Sequence, residues 1–172
     1  MGTRNLFKII KDNKTVLAKY NQWDGYLDGQ GKELSDFIID DLNFEALNNG
    51  LTRVRFLDEN SSELNDIREN KDVNQYPLLT RNTTIREQLR AISLGALSLE
   101  TFDSSEFQND GCFCEYTYVL NLDTNTITVY DNATPKEIKK GTNWACENEL
   151  FTCDILEYPS VLDKHIELNK GE

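Results

Sequence analysis

Apolar and polar positions alternate most strictly along FCEYTYVLNL (113–122) and TITVYD (126–131), which flank Asp123-Thr124-Asn125. A period of two predicts two strands joined by a tight turn. RNLFKIIK (4–11) and TVLAKYNQW (15–23) repeat the arrangement around Asp12-Asn13-Lys14, where Asn13 can take positive φ. ELFTCDILE (149–157) predicts one more strand before Pro159. Between the hairpins the period changes. Leu34, Phe37, Ile38 and Leu42 recur at helical spacing, and Phe44, Leu47 and Leu51 predict a second short helical turn closed by Gly50. Thr83-Thr84 ahead of Arg86-Glu87 opens a third helix over 84–97, with Ile85, Leu89, Ile92 and Leu97 as its stripe. RVRFL (53–57) reads as a short strand, and the polar stretch 58–75 as an exposed insertion with a helix around 61–70. After Leu162 little is left to bury, and the end of the chain is expected to fray.

Strands in blocks with helices between them predict an α+β fold: an antiparallel sheet from the N- and C-terminal hairpins, packed with helices. The 172 residues suffice for one domain, placed at 1–162, with 163–172 as a flexible tail. The formal net charge of −12 repels DNA, RNA and anionic membrane surfaces at long range. A small anionic ligand would need a local cationic pocket. The N-terminal apolar runs are interrupted by Lys8, Lys11 and Lys14, unlike a secretory leader, and no run approaches a membrane span, so a cytoplasmic location is expected. Two hairpins imply sheet edges, and a homodimer or higher oligomer is expected through them.

Cys112, Cys114, Cys146 and Cys153 form a C-x-C and a pair seven apart, and the one histidine, His165, lies near the C-terminus. That spacing fits reduced, buried thiols better than zinc, and if 112–120 is a strand Cys112 and Cys114 share a face with Tyr116, Tyr118 and Leu120. No metal and no cofactor is expected. No G-x-S-x-G, H-E-x-x-H or Cys–His pairing points to nucleophilic catalysis, and no catalytic residue is assigned.

The densest chemistry lies in YNQWDGYLDGQG (20–31). Trp23 and Tyr26 offer flat faces, Gln22 and Gln30 offer donors and acceptors, and Gly25, Gly29 and Gly31 let backbone N–H groups approach a ligand. Aromatic faces with amide edges suit a nucleobase. The alternative is that Trp23 and Tyr26 are core residues capping the sheet while the glycines only turn the chain. TRNTT (80–84) precedes the third helix, so Arg81, Asn82 and Thr83 form a candidate phosphate seat, with capping by Thr83 or Thr84 as the structural alternative. Arg4, at the start of the first strand, is a second candidate anion contact, and Asp24 the one candidate general base. Arg53 and Arg55 are expected mainly to pair with surface carboxylates.

MGTRN with QWDGYxxGQG, continued at YPLLTRNTT and EYTYVLNLDTNTITVY, resembles a family of small bacteriophage and bacterial proteins with no assigned activity. This chain has Leu27-Asp28 where those relatives often carry Pro-Glu. MGTR followed by a hairpin ending in QWDG is also similar to the start of choloylglycine-type N-terminal nucleophile hydrolases. That second likeness implies a degenerate hydrolase-like sandwich, with Gly2 at the position of the nucleophilic cysteine. The phage resemblance and the chemistry of the loop together predict a phage-type protein binding a small anionic, nucleotide-like ligand. By analogy of context, it would sequester a cyclic nucleotide or cyclic ADP-ribose signal of antiviral defence. Trp23 and Tyr26 would stack the base, Gln22 and Gln30 read its edge, and Arg4 and Arg81 hold phosphate. The alternatives are a hydrolase or phosphodiesterase acting on the same ligand, and an acidic protein that occupies a basic surface of a host protein.

Overall fold

Asp12 and Asn13 both adopt positive φ (54° and 56°), the backbone that lets a two-residue turn match the twist of its strands. They join β1 (Asn5–Lys11) to β2 (Lys14–Asn21). The second hairpin pairs β5 (Tyr116–Asn121) with β6 (Thr126–Asp131), and β7 (Glu149–Asp154) adds to β6. Between the hairpins come α1 (Lys32–Asp40), α2 (Phe44–Leu51), β3 (Arg55–Phe56), α3 (Ser62–Glu69), α4 (Ile85–Ser93) and β4 (Glu100–Thr101). The chain closes on α5 (Tyr158–Asn169). The computed structural model describes residues 2–58, 60–69, 75–80, 82–110, 113–131 and 148–169, without the Arg68 side chain.

The fold is α+β, around a sheet of order β2-β1-β5-β6-β7. The sheet is mixed rather than antiparallel, because β1 and β5 run parallel from Asn5 opposite Tyr116 to Ile10 opposite Asn121. Alternation fixes which face a side chain takes, not which way its neighbour runs. The long helical connection between the hairpins permits the parallel pairing. Phe7, Ile9, Leu17, Tyr118, Leu120, Ile127 and Val129 share the face that packs on Leu34 and Phe37 of α1, Leu47 of α2, Leu89 of α4 and Leu162 of α5. Beyond that sheet only β3 and β4 pair, over two residues each, so the described residues form no two-sheet sandwich of the hydrolase kind.

Three local expectations change. Residues 163–169 continue α5 rather than fray. Tyr158 and Leu162 are buried, His165 stacks on Phe151 at 4.4 Å, and the helix runs on to Asn169. Pro159 opens this helix, a position where its missing N–H costs nothing. α4 stops at Ser93, short of Leu97, which is 97% exposed; Gly95 at φ 70° supplies the left-handed exit. Cys114 packs with Leu6, on the sheet face opposite Tyr116 and Tyr118. Its Sγ lies 3.4 Å from Thr117 Oγ1. Cys114 and Cys153 are free thiols, and burial followed by Glu157 and Asp154 raises Cys153 to about 11. Cys112 and Cys146 lie outside the described residues. Among the described residues no group of three or more His, Cys, Asp or Glu is placed to hold a metal, and no helix is long and apolar enough to cross a membrane.

One contact joins the two hairpin turns. The Asp123 carboxylate accepts from Asp12 N–H and Asn13 N–H, both at 2.8 Å, and so fixes the turns of β1–β2 and β5–β6 against each other. Asp123→Ala should cost about 1–2 kcal/mol, the worth of charge-assisted bonds at an exposed site. Urea unfolding checks this, with Asp123→Asn expected to recover part of the loss.

Candidate functional site

Loop 22–31 closes over the N-terminal residues rather than hanging free. Gly25 N–H donates to the Thr3 carbonyl at 3.0 Å, and Gln30 N–H donates to the Asp24 carbonyl at 2.7 Å. Residues 27–31 form a π-type turn, with Gly31 N–H reaching the Tyr26 carbonyl at 3.2 Å. A Cβ on Gly29 would lie 2.2 Å from the Asp24 carbonyl oxygen, so the loop can close only on a glycine there. Two buried phenols hold it from beneath: Tyr118 donates to the Gly25 carbonyl at 2.8 Å, and Tyr158 to the Gly31 carbonyl at 3.2 Å.

This anchoring leaves the two aromatics of the loop outside. Trp23 is 47% exposed and Tyr26 is 50% exposed, so neither caps the core. Tyr26 meets Tyr116 edge-on at 6.1 Å. A Cβ on Gly2 would fall 2.1 Å from the Trp23 ring, so a nucleophilic side chain at position 2 would displace that ring. Arg4 lies in the adjoining segment. Its carbonyl accepts from Glu115 N–H at 3.1 Å, and its guanidinium stands 4.7 Å over the exposed Phe113 ring. Arg55, Arg86 and Arg90 all pair with carboxylates, whereas Arg4 has no such partner among the described residues. Arg53 donates instead to the Ala96 carbonyl beyond α4.

The remaining candidates have other work. Gln30 is buried. Its Oε1 accepts from Ile85 N–H at 2.8 Å and its Nε2 donates to the Trp23 carbonyl at 3.4 Å, so the side chain ties the loop to the start of α4 instead of facing solvent. The cap of α4 is Thr84, which with Glu87 forms a reciprocal capping box. Thr83 turns its hydroxyl inward to the Pro77 carbonyl at 2.8 Å. Gln30, Thr84 and the Glu87 carboxylate thus occupy that helix start, which weakens it as a phosphate seat. Asn82 is exposed, Gln22 is half-buried, and Arg81 lies outside the described residues. Asp24 is exposed at φ 54°, with no hydrogen bond to orient its carboxylate among the described residues.

Sequence reasoning missed the polar chain behind the loop. Asn21 Nδ2 donates to Asn5 Oδ1 at 3.0 Å, and Gln88 Nε2 donates to Asn21 Oδ1 at 2.6 Å and to the Thr83 carbonyl at 2.9 Å. All three amides are buried. The sign was a glutamine on the buried face that α4 builds from Ile85, Leu89 and Ile92. Phe113 and Tyr116 were also missed as ring partners of Arg4 and Tyr26. Burial first, then Asp131, Tyr26, Glu115 and Asp28, pushes Tyr116 up to about 12. Asp131, Glu115 and Asp28 thus act on the Tyr116 phenol, and Arg4 stands over Phe113.

In comparisons with protein-family models, curated proteins and solved structures, nothing matches the chain. The functional reading therefore rests on the residues themselves.

Proposed function

We propose that the protein binds and sequesters a small, ring-bearing anionic ligand of the nucleotide class at the surface formed by Trp23, Tyr26, Arg4 and Phe113. One observation carries this reading: two loop aromatics stand half-exposed on a backbone anchored beneath them, and Arg4 in the adjoining segment stands over a ring, with no carboxylate partner among the described residues. Exposed rings stack on bases, and an arginine with no acid partner can form a bidentate contact with phosphate. The resemblance to phage proteins supports a role in capturing a defence signal such as a cyclic nucleotide or cyclic ADP-ribose. Asp24 has no orienting partner among the described residues, so the hydrolase alternative gains nothing from it.

Trp23→Ala and Arg4→Ala should each weaken binding of cyclic nucleotides and cyclic ADP-ribose by ~1–3 kcal/mol, roughly five- to 150-fold. Because Trp23 is half-exposed, its truncation should leave unfolding stability within about 1 kcal/mol of wild type, unlike a core tryptophan at ~3–5 kcal/mol. Calorimetric titration and thermal unfolding on the same variants check both. If neither variant changes the affinity of a nucleotide that wild type binds, the surface is not its seat. A second reading draws on Asp28, Glu115 and Asp131 around Tyr116: exposed aromatics bordered by carboxylates also suit the basic surface of a host protein. Intact ligand released by heating the purified protein supports the first reading. A co-purifying basic protein and no small molecule supports the second.

A further inference from the structure

A half-open cleft of about 570 Å³ lies along β2, apart from the aromatic surface just described. Its size falls within the range of small-molecule sites. Four segments build it: the end of β2, Leu78 and Leu79, β4 with the residues after it, and the 3₁₀ turn at 105–109. Leu78 and Phe102 give it apolar walls, and the Tyr20 ring is held edge-on by Phe107 at 4.8 Å. Walls of that kind suit a flat apolar or aromatic body.

Backbone groups decide what else the ligand carries. β2 is the outer strand, and the Ala18 carbonyl points away from β1 to accept from Ser104 N–H at 3.0 Å. Tyr20, two residues on, turns its N–H and carbonyl to the same edge. Its carbonyl accepts from the Lys19 ammonium at 3.0 Å, and the Leu78 carbonyl accepts from the buried Thr101 hydroxyl at 3.3 Å. These acceptors are already in use. The Tyr20 N–H differs: it faces the outer edge and finds no partner among the described residues. An open donor beside occupied acceptors suits a ligand that brings a lone acceptor, such as a carbonyl oxygen. It does not suit an added peptide strand, which needs an acceptor as well as a donor from the edge residues it pairs with. Lys19 is 5% exposed and its ammonium is engaged, so it offers a ligand no counter-charge. Asp103 and Glu106, both exposed, stand at the rim and disfavour an anion. An ammonium would bring only donors to the Tyr20 N–H and would have to leave water to reach it.

We propose that this cleft binds a small uncharged molecule with a flat apolar or aromatic body and one carbonyl group, seated with its carbonyl oxygen on Tyr20 N–H. The site is independent of the nucleotide reading, and its test uses different probes. Amide spectra of the whole protein would be recorded with 3-phenylpropionamide, 3-phenylpropionate and 3-phenylpropylamine at millimolar concentration. These probes share a body and differ in charge and acceptor. The uncharged amide should shift the Tyr20, Phe102 and Ser104 signals and move the Tyr20 N–H proton downfield as it gains an acceptor. The carboxylate should bind about tenfold more weakly because of the rim charges, and the amine about tenfold more weakly because it lacks the acceptor. Ser104→Trp adds a ring to the cleft lining and should abolish the shifts. Leu79→Trp, from another wall, makes the same test if Ser104→Trp does not fold. The proposal is overturned if 3-phenylpropionamide moves none of these signals, if either charged probe binds as tightly as the amide, or if a folded tryptophan variant binds the amide unchanged.

Discussion

Above pH 10 the protein should lose stability progressively as the pH rises. Tyr118 and Tyr158 are fully buried, and burial lifts both phenols well above their ordinary value. Tyr116 moves the same way, to about 12. The unfolded chain releases these protons near pH 10, while the folded chain keeps them. The folded state then binds more protons, so raising the pH favours unfolding. Their contribution is complete below pH 10 and is lost as the pH climbs towards the folded values. Each buried phenol removes about 1.4 kcal/mol per pH unit, so Tyr118 and Tyr158 together remove about 3. Against a total of ~5–15 kcal/mol, a loss of a few kcal/mol is a large fraction of the stability. Phenolate absorbance should rise together with loss of the far-ultraviolet helical signal, and Tyr158→Phe should flatten the transition. Phenolates that titrate near pH 10 in a folded protein would show these tyrosines to be accessible, and the anchoring of loop 22–31 would need another explanation.

The elements that sequence reasoning found are those whose signal is local. Both hairpins are marked by alternation and turn chemistry, α1 and α2 by apolar spacing, and α4 by apolar spacing with a cap. What it missed depends on distant partners. The parallel pairing of β1 with β5 leaves no trace in either strand, since Asn5 and Tyr116 are far apart in sequence. Residues 163–169 read as a tail because little apolar content follows Leu162; α5 is fixed by Tyr158, Leu162 and the stacking of His165 on Phe151. The same division holds at the site. Trp23, Tyr26 and Gly25 stand out as candidates because a short loop concentrates costly residues. The fate of Gln30 was not, because its partner at Ile85 is 55 positions away. An amide quoted as a base reader is instead the tie between loop and helix. Sequence names the residue types at a site, but only the fold shows which of them are already occupied.

Gly50→Ala should produce the largest single loss away from the tyrosines, and the loss should reach the loop. α2 and α4 pack so closely that a Cβ on Gly50 would lie 2.0 Å from the Ile92 carbonyl oxygen and 2.7 Å from its carbon. These are backbone atoms, so no rotamer change relieves the overlap and the helices must part. Alanine gains up to about 1 kcal/mol of helix propensity over glycine, but opening the α2–α4 contact outweighs it. A net loss of about 2–3 kcal/mol is expected, or about 5–10 °C in Tm for a chain of this size. Asn49→Ala, on an exposed neighbour in the same helix, should stay within about 0.5 kcal/mol. The displacement would travel along α4, because Ile85 N–H holds Gln30 at 2.8 Å and Gln88 holds the Thr83 carbonyl at 2.9 Å. Gly50→Ala should therefore also weaken ligand binding at the Trp23 surface, although Gly50 is buried between helices and the aromatic surface is carried by the loop and the β1 terminus. If Gly50→Ala melts with Asn49→Ala, the two helices are farther apart than this packing requires. If it loses stability but keeps full affinity, the Gln30 tie does not set the position of the loop.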